Sequence, residues 1–566
     1  MIHKKIGVVS FVAMVVSLFV LAGCGSSAPA EPEATAVSPT EPAVEPTAVP
    51  AQPPAETTSQ WNPDPAQNIH VSNLGGDQAI PRIVTGENGD FYVTWFSNPP
   101  GRENYDVRMQ RYDAQGNAQW EENGRILSDN PSNTWISDYV FTKDNDGNLI
   151  LAFQDMRTGS SNLYAYKFSP DGTPLWGENG LPMTDNEGFV GPYPTTVSTP
   201  EHITLIWGQE TDDSFKITMQ KLTPDGDKLW GNEGLIVPGQ ETESFMQGAI
   251  ASGGGDQIIL VYGIEKQAGS QIMSIYAQKL DKDGNSVWNG GEPILLHESV
   301  PFFIFPEVIS DGAGGAYIGW YTTELKGFVQ HLDADGKLLM AEGGAPLVTT
   351  GTNLQISPHL QFSPEKNEVF AFWLDTDARQ NERGLSGQKM SPTGELLWGE
   401  NGRNYIELSH ADLGMITPRL TDDNIVIFYA QGETAEDQII LGTRLKALLV
   451  NGNGDTIWSQ PAILSAQLSD KSNLEVGVIG EQEWIAVWQD GGKSDSDAGR
   501  DILMQNLPLS ESTELANPAS VFCGEQGGTL ELRTNDDGGQ YGVCVFDDGS
   551  ECEEWAFYRG ECKPGG

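Results

Sequence analysis

The chain has 566 residues, with 32 Lys+Arg against 79 Asp+Glu and a formal net charge of −47. At roughly 150 residues per domain, the length suggests three or four domains. The charge excludes a duplex DNA or RNA binder, which needs a basic footprint, and a polybasic face for anionic lipid.

The 65 Gly and 15 Trp favour many tight turns with aromatic packing, as in all-β proteins. Residues 1–24 come first in chain order. Lys4 and Lys5 precede an uncharged apolar run of 17 residues, Ile6 to Ala22. That run is short for a spanning helix and right for a signal-peptide core. It ends in Leu21-Ala22-Gly23-Cys24, which resembles the signal of bacterial lipoproteins. The resemblance implies cleavage before Cys24, with lipid on its sulfur and amine. It also implies an extracytoplasmic chain held by lipid to the cell membrane or outer membrane, facing the exterior. Gly25, rather than Asp, follows the cysteine, so retention at an inner membrane is not signalled. Loss of the leader removes Lys4 and Lys5 and takes the charge from −47 to −49.

Residues 25–60 hold 8 Pro, 8 Ala and 5 Glu, with no Lys or Arg. A segment this poor in apolar residues does not fold. It reads as a disordered tether, with a reach on the order of 100 Å when extended.

Residues 61–507 carry an internal repeat. Its middle reads MQRYDAQGNAQW (109–120), AYKFSPDGTPLW (165–176), MQKLTPDGDKLW (219–230) and AQKLDKDGNSVW (277–288). It continues as VQHLDADGKLLM (329–340), GQKMSPTGELLW (387–398) and LLVNGNGDTIW (448–458). Each turn glycine stands four residues before an aromatic slot: Gly116 and Trp120, Gly172 and Trp176, Gly226 and Trp230, Gly284 and Trp288. Gly394 and Trp398, and Gly454 and Trp458, follow the same spacing, while Gly336 is followed by Met340. A short apolar strand precedes each unit and ends in an aromatic: Trp95, Phe153, Trp207, Tyr262, Trp320, Trp373, Tyr429 and Trp488. Runs of four to six β-branched and aromatic residues between Gly, Asp, Asn and Pro predict strands, and the Asp-Gly-Asn segments predict hairpin turns. Four strands per unit, repeated eight times, predict a β-propeller of eight blades, with seven as the alternative. The last copy lacks its Gly-turn-Trp strand. Ile69-His70-Val71-Ser72 resembles the segment after Trp458 and is expected to supply it, closing the ring and removing two sheet edges. The unit also resembles a repeat of secreted bacterial surface proteins, which implies architecture but little chemistry.

Three chemistries bear on the residues of the repeat. Asp281-Lys-Asp283-Gly-Asn285, Asp333-Ala-Asp335-Gly and Asp144-Asn-Asp146-Gly-Asn148 place oxygens at alternate positions, as calcium loops do. Their Gly is in the fourth place, and other copies begin Ser169-Pro, Thr223-Pro or Ser391-Pro, so a plain turn is expected. No cofactor is expected, calcium being the one ion these spacings admit. SPDGTPLW and TPDGDKLW resemble the Asp-box of sialidases but place Gly directly after Asp. The His at 3, 70, 202, 297, 331, 359 and 410 show no metal-ligand spacing, and no nucleophile or phosphate-loop motif is found. The loops Asp155-Met-Arg157, Glu210-Thr-Asp212-Asp213, Asp375-Thr-Asp377-Ala-Arg379 and Ser494-Asp-Ser496-Asp497 are expected on one rim, as a solvated acidic surface.

Residues 508–518 read as a linker. Residues 519–566 form a small module with Cys523, Cys544, Cys552 and Cys562. An even count in an exported segment predicts two disulfides in one of three pairings. In so short a domain the bridges supply stability that a core cannot. The stretch from about 518 to 562 resembles a small cysteine-containing domain of secreted bacterial and archaeal proteins, sometimes labelled "putative hemolysin". Residues 519–566 hold 10 Asp+Glu against 3 Lys+Arg, which does not suit a lytic peptide. Trp555 and Tyr558 are expected in its core, with a binding patch as the alternative.

The expected function is a monomeric cell-surface lipoprotein that binds or scaffolds a protein or glycan at one propeller face. No nucleic-acid partner and no metal site are expected. The rival is an extracellular hydrolase or lyase of polysaccharides, with acidic residues at the ring axis.

Overall fold

Strand-forming runs of two to eighteen residues, separated by Gly- and Asp-rich turns, zip into antiparallel meanders along the chain. The computed structural model describes residues 59–564, except 133–137, 186–189, 191–193, 211–214, 238–244, 266–269, 303, 422–423, 435–439, 481–482, 492–498, 509–517, 535–539, 547 and 559–561. Cys24, the 25–60 segment and most of the 508–518 segment therefore lie outside the described residues. Among those described, no helix is long and apolar enough to cross a membrane.

Six four-stranded sheets follow one another in sequence order. Sheet 1 is Asp77–Thr85, Phe91–Asn98, Asp106–Tyr112 and Arg125–Ser128. Sheets 2 to 6 begin at Val140–Lys143, Thr195–Ser198, Phe245–Ser252, Glu307–Ser310 and Leu354–Ser363. A seven-stranded sheet follows. Its 18-residue strand Ala462–Ile479 pairs through Ala462 to Ser469 with Ile440–Asn451, and through Asp470 to Ile479 with Glu483–Gly491. It is thus the last strand of sheet 7, which begins at Leu413–Thr421, and the first of sheet 8. The fourth strand of sheet 8 is Ile69–His70, which pairs with Arg500–Pro508 as Ile69↔Met504 and His70↔Leu503.

The second strand of every sheet is apolar along both faces, because neighbouring sheets cover both. The core is accordingly a series of layers between sheets. One layer joins Tyr92 and Phe96 of sheet 1 to Tyr139 and Phe153 of sheet 2. Another joins Phe91, Val93 and Trp95 of sheet 1 to Ile485, Val487 and Met504 of sheet 8. The strand-end aromatics Trp95, Trp207, Trp320, Trp373 and Trp488 are at most 2% exposed. Truncating one of these costs about 3–5 kcal/mol.

The repeat glycines and tryptophans meet between units, not within them. A Cβ on Gly336 would sit 2.6 Å from Trp288 of the preceding unit, and one on Gly454 2.9 Å from Trp398. The same neighbour relation joins Trp120 to Gly172, Trp176 to Gly226, Trp230 to Gly284 and Met340 to Gly394. Trp458 is partly buried against the layer of sheets 7 and 8. Gly116 packs on Trp61, whose indole N–H donates to Ala114 O at 2.9 Å. Trp61 thus occupies the aromatic slot ahead of the first repeat glycine.

The C-terminal segment is described by itself. Helix Pro518–Glu525 precedes a three-stranded antiparallel sheet of Thr529–Thr534, Gln540–Val545 and Glu551–Glu553, and Glu554–Tyr558 is a short helix. The bridges are Cys523–Cys544 and Cys552–Cys562. Phe557 is the buried aromatic, whereas Trp555 and Tyr558 are 37% and 38% exposed, correcting the expectation that they form the core. The short helix turns one face inward, and that face carries Phe557 against Phe522 and Phe546.

Candidate functional site

The repeat's own polar residues are consumed in structure. Gln330 is 1% exposed; its Nε2 donates to Ala341 O at 2.8 Å and its Oε1 accepts from Met340 N at 3.1 Å. Gln110, Gln220 and Gln388 do the same in sheets 1, 3 and 6. In the turns, Asp281 Oδ1 accepts from Asp283 N and Asn285 N, both at 2.9 Å, and Asp144 and Asp333 repeat the pattern. Ser169, Thr223 and Ser391 accept the same amide four residues on. The shared geometry is a side-chain-closed turn, which a hydroxyl or a carboxylate serves equally.

The rim loops differ from the expected solvated surface. Asp155 and Asp375 are 3% and 4% exposed. Asp375 accepts from Trp373 Nε1 at 2.9 Å and from Ser386 Oγ, and burial raises its carboxyl above the usual range. Asp490 likewise accepts from Trp488 Nε1 at 3.1 Å and pairs with Lys471 Nζ at 2.9 Å. A buried indole N–H needs an acceptor, and the acid two residues on supplies it. Asp155 instead pairs with Arg157. The segments 211–214 and 492–498 lie outside the described residues.

A different set of residues converges from the first strands. Arg82, Glu307, His359 and Glu475 hold one register position: each pairs with the residue just before a strand-end aromatic, namely Thr94, Gly319, Phe372 and Val487. In sheets 2, 3, 4 and 7 the position holds Val140, Thr195, Ala249 and Thr417. The charged positions therefore fall in sheets 5, 6, 8 and 1, on one arc of the order. The ladder slips immediately before Arg82, His359, Thr417 and Glu475. Within each slip a non-glycine residue has positive φ: Ile80 (52°), Ser357 (51°), Met415 (53°) and Asn473 (50°). Such bulges re-aim the side chains that follow them, and left-handed non-glycine backbone persists only where its surroundings hold it. Gln489 Oε1 does part of this, accepting from Ile80 N at 3.1 Å and Asn473 Nδ2 at 3.2 Å.

The charges form a chain. Arg82 Nη1 donates to Glu475 Oε1 at 2.8 Å, and its Nη2 donates to Asp138. The guanidinium lies 5.7 Å from the Tyr139 ring centroid, and the Tyr139 hydroxyl is 2.9 Å from Thr94 Oγ1. Burial alone would lower the Arg82 pKa; Glu475 and Asp138 outweigh it and hold the value above normal. Burial pushes the Glu475 carboxyl up, against the pull of Arg82 and Arg419. Arg419, two residues beyond Thr417, is pulled below its usual value by burial and feels both Glu475 and Glu307. Glu307 Oε2 lies 3.3 Å from His359 Nδ1. Side chains of sheets 5, 7 and 8 interact although sheet 6 separates two of them in sequence, so they meet where the first strands converge.

None of these six residues carried a motif in the sequence. Four of them carry one available signal, a Pro-charged pair ahead of the aromatic strand: Pro81-Arg82, Pro306-Glu307, Pro358-His359 and Pro418-Arg419. Proline is tolerated there because the first strand has one unpaired edge.

Among the described residues, Glu201, His202 and Asp256 bring ligand atoms within 4.8 Å of one another. Lys221 Nζ already lies 3.0 Å from Asp256 Oδ2 and His202 Nδ1 2.8 Å from Asp256 Oδ1, so a lysine supplies the cation there.

Residues 514–561 match a family described as "Domain of unknown function (DUF333)". No curated protein matches the chain significantly. Among solved structures, polysaccharide lyase Uly1 is 12% identical, covering 79% of this chain and 92% of its own, with TM-score 0.39. An unknown function protein from Dyadobacter fermentans is 11% identical, covering 79% and 100%, with TM-score 0.37. The α-L-arabinanase of Penicillium chrysogenum, complexed with arabinobiose, is 14% identical, covering 57% and 98%, with TM-score 0.33. At TM-scores below 0.5 these likenesses carry no functional argument.

Proposed function

We propose that sheets 1 to 8 are the blades of a closed propeller and that the charged cluster on its axis is the active site of an extracellular glycan hydrolase. Closure is supported by the Ile69↔Met504 pairing, by Trp61 on Gly116 and by the apolar layer between sheets 1 and 8. The observation that carries the catalytic reading is Glu475 and Asp138 on the single guanidinium of Arg82, with burial raising the Glu475 carboxyl above its usual range. In this reading Glu475 gives its proton to the glycosidic oxygen as the C–O bond breaks. Asp138 takes the proton of the water that adds at the anomeric carbon. Cys24 anchors the chain by lipid and residues 25–60 hold the propeller away from the membrane.

The test is release of reducing ends from a panel of arabinan, xylan, dextran, polygalacturonate and alginate. Glu475→Gln should lower kcat by about a hundredfold or more with the circular dichroism unchanged. Activity should also fall as pH rises through the elevated Glu475 pKa, because the acid form is the one required. No release from any panel member would overturn the hydrolase reading and favour the binding scaffold.

A further inference from the structure

Several largely buried cations in this chain are paired with carboxylates: Arg82 with Asp138 and Glu475, Arg157 with Asp155, Lys167 with Asp144, Lys471 with Asp490, while Lys279 donates instead to the backbone carbonyls of Gly314 at 2.9 Å and Ala334 at 3.3 Å. Arg419 is another exception. Its Nε donates to Val476 O at 3.2 Å and its Nη1 to Pro418 O at 2.9 Å. Among the described residues no carboxylate lies within ion-pair distance of it, although the chain holds 79 acids. A guanidinium has five N–H donors. The two backbone carbonyls take one from Nε and one from Nη1. The remaining three sit on Nη1 and Nη2 as an end-on fork, the shape that matches two oxygens of a carboxylate or sulfate. The backbone carbonyls come from two sheets, sheet 7 and the first strand of sheet 8, so the fork is held in a fixed direction.

The acids around Arg419 are already matched by other groups. Glu475 and Glu307 are the acids whose charge reaches Arg419. Glu475 shares Arg82, and Glu307 is matched by His359. An incoming anion therefore faces neighbours already engaged, whereas the Arg419 fork is not. Leaving a half-buried guanidinium without a counter-charge costs free energy that an arriving anion would recover.

We propose that Arg419 is the receptor for an anionic substituent of the saccharide, carboxylate or sulfate, one subsite from the proposed acid Glu475. The substrate class is then an acidic polysaccharide. This rests on the axial-site reading for its location, but not on turnover.

Affinity electrophoresis of the full chain tests it, with the Glu475→Gln protein used so that nothing is cleaved. Gels would contain polygalacturonate, its methyl ester, chondroitin sulfate, arabinan or dextran. Retardation is expected with polygalacturonate or chondroitin sulfate and not with the methyl ester, arabinan or dextran. The polygalacturonate and sulfate arms separate carboxylate from sulfate. Arg419→Gln should weaken that retardation about tenfold or more. Lys282→Gln, which removes an exposed cation elsewhere, should leave it unchanged. Retardation by the neutral polymers alone, retardation indifferent to Arg419→Gln, or none in any gel would each overturn the proposal. Anion-dependent binding without wild-type cleavage would remove the hydrolase reading and leave the anion site standing. Cleavage of a neutral polymer unaffected by Arg419→Gln would do the reverse.

Discussion

At the scale of single residues, the contact that matters most often is glycine against tryptophan. Gly336 has φ +81°, its N–H closes on Asp333 O at 3.0 Å, and Trp288 lies over it, its indole N–H donating to Ala334 O at 2.9 Å. Two requirements coincide there: left-handed backbone and no side chain. Gly177 has almost the same φ, +82°, with nothing within 4 Å of a built Cβ. Gly336→Ala is expected to lose about 3 kcal/mol, from positive φ plus overpacking, and Gly177→Ala about 1 kcal/mol. Urea unfolding of the two variants measures the difference; equal losses would mean that the tryptophan contact contributes nothing. The glycine and the tryptophan were both legible as a spacing of four. Their pairing across consecutive units was not, because that spacing places them in one turn while the contact is made between sheets.

At the scale of elements, the first strands and the N-terminal strand carry the argument. Each first strand has an unpaired edge, which is why Pro81, Pro306, Pro358 and Pro418 can stand in or beside it. The N-terminal strand Ile69–His70 is two residues long and gains a side-chain clamp, His70 Nδ1 to Asp501 Oδ2 at 2.6 Å. The hydrogen bond to Asp501 is the largest cause of a raised His70 pKa, with burial opposing it. A folded pKa above the unfolded value means the folded state holds the proton more tightly. The stabilisation is therefore complete below about pH 6.5 and disappears as pH rises through the folded value. His70→Gln should lower Tm at about pH 5.5 and leave it unchanged at about pH 8.5. A Tm difference that persists at the higher pH would assign the effect to packing instead. The matching of 69–72 to the segment after Trp458 was readable from sequence. Trp61 was not, because four extra residues separate it from its strand and break the repeat's spacing.

At the scale of the whole molecule, charge and attachment dominate. An excess of 79 acids over 32 bases repels polyanions at long range. If the substrate is acidic, added salt should therefore assist its approach within the limits of screening. The proposed lipid attachment rests on Cys24. Cys24→Ser is expected to move the protein from the membrane fraction to the soluble one, read by immunoblot after fractionation; a variant that stays with the membrane would dismiss the lipid anchor.

By itself, the sequence determined the all-β class, the eight-fold recurrence, the turn chemistry and the grouping of the last four cysteines. Each is written in local order: alternation, a glycine where φ must be positive, a count within 44 residues. Only the tertiary structure decided which cysteines pair, that Asp155 and Asp375 are buried, and that Arg82, Asp138, Glu307, His359, Arg419 and Glu475 share one place. Those six are spread from residue 82 to residue 475 at roughly the period of the repeat, but they share no residue type and occur in only some of the copies. What unites them is a shared location near equivalent register positions of different sheets. Register sets them side by side only when the sheets are stacked around their first strands.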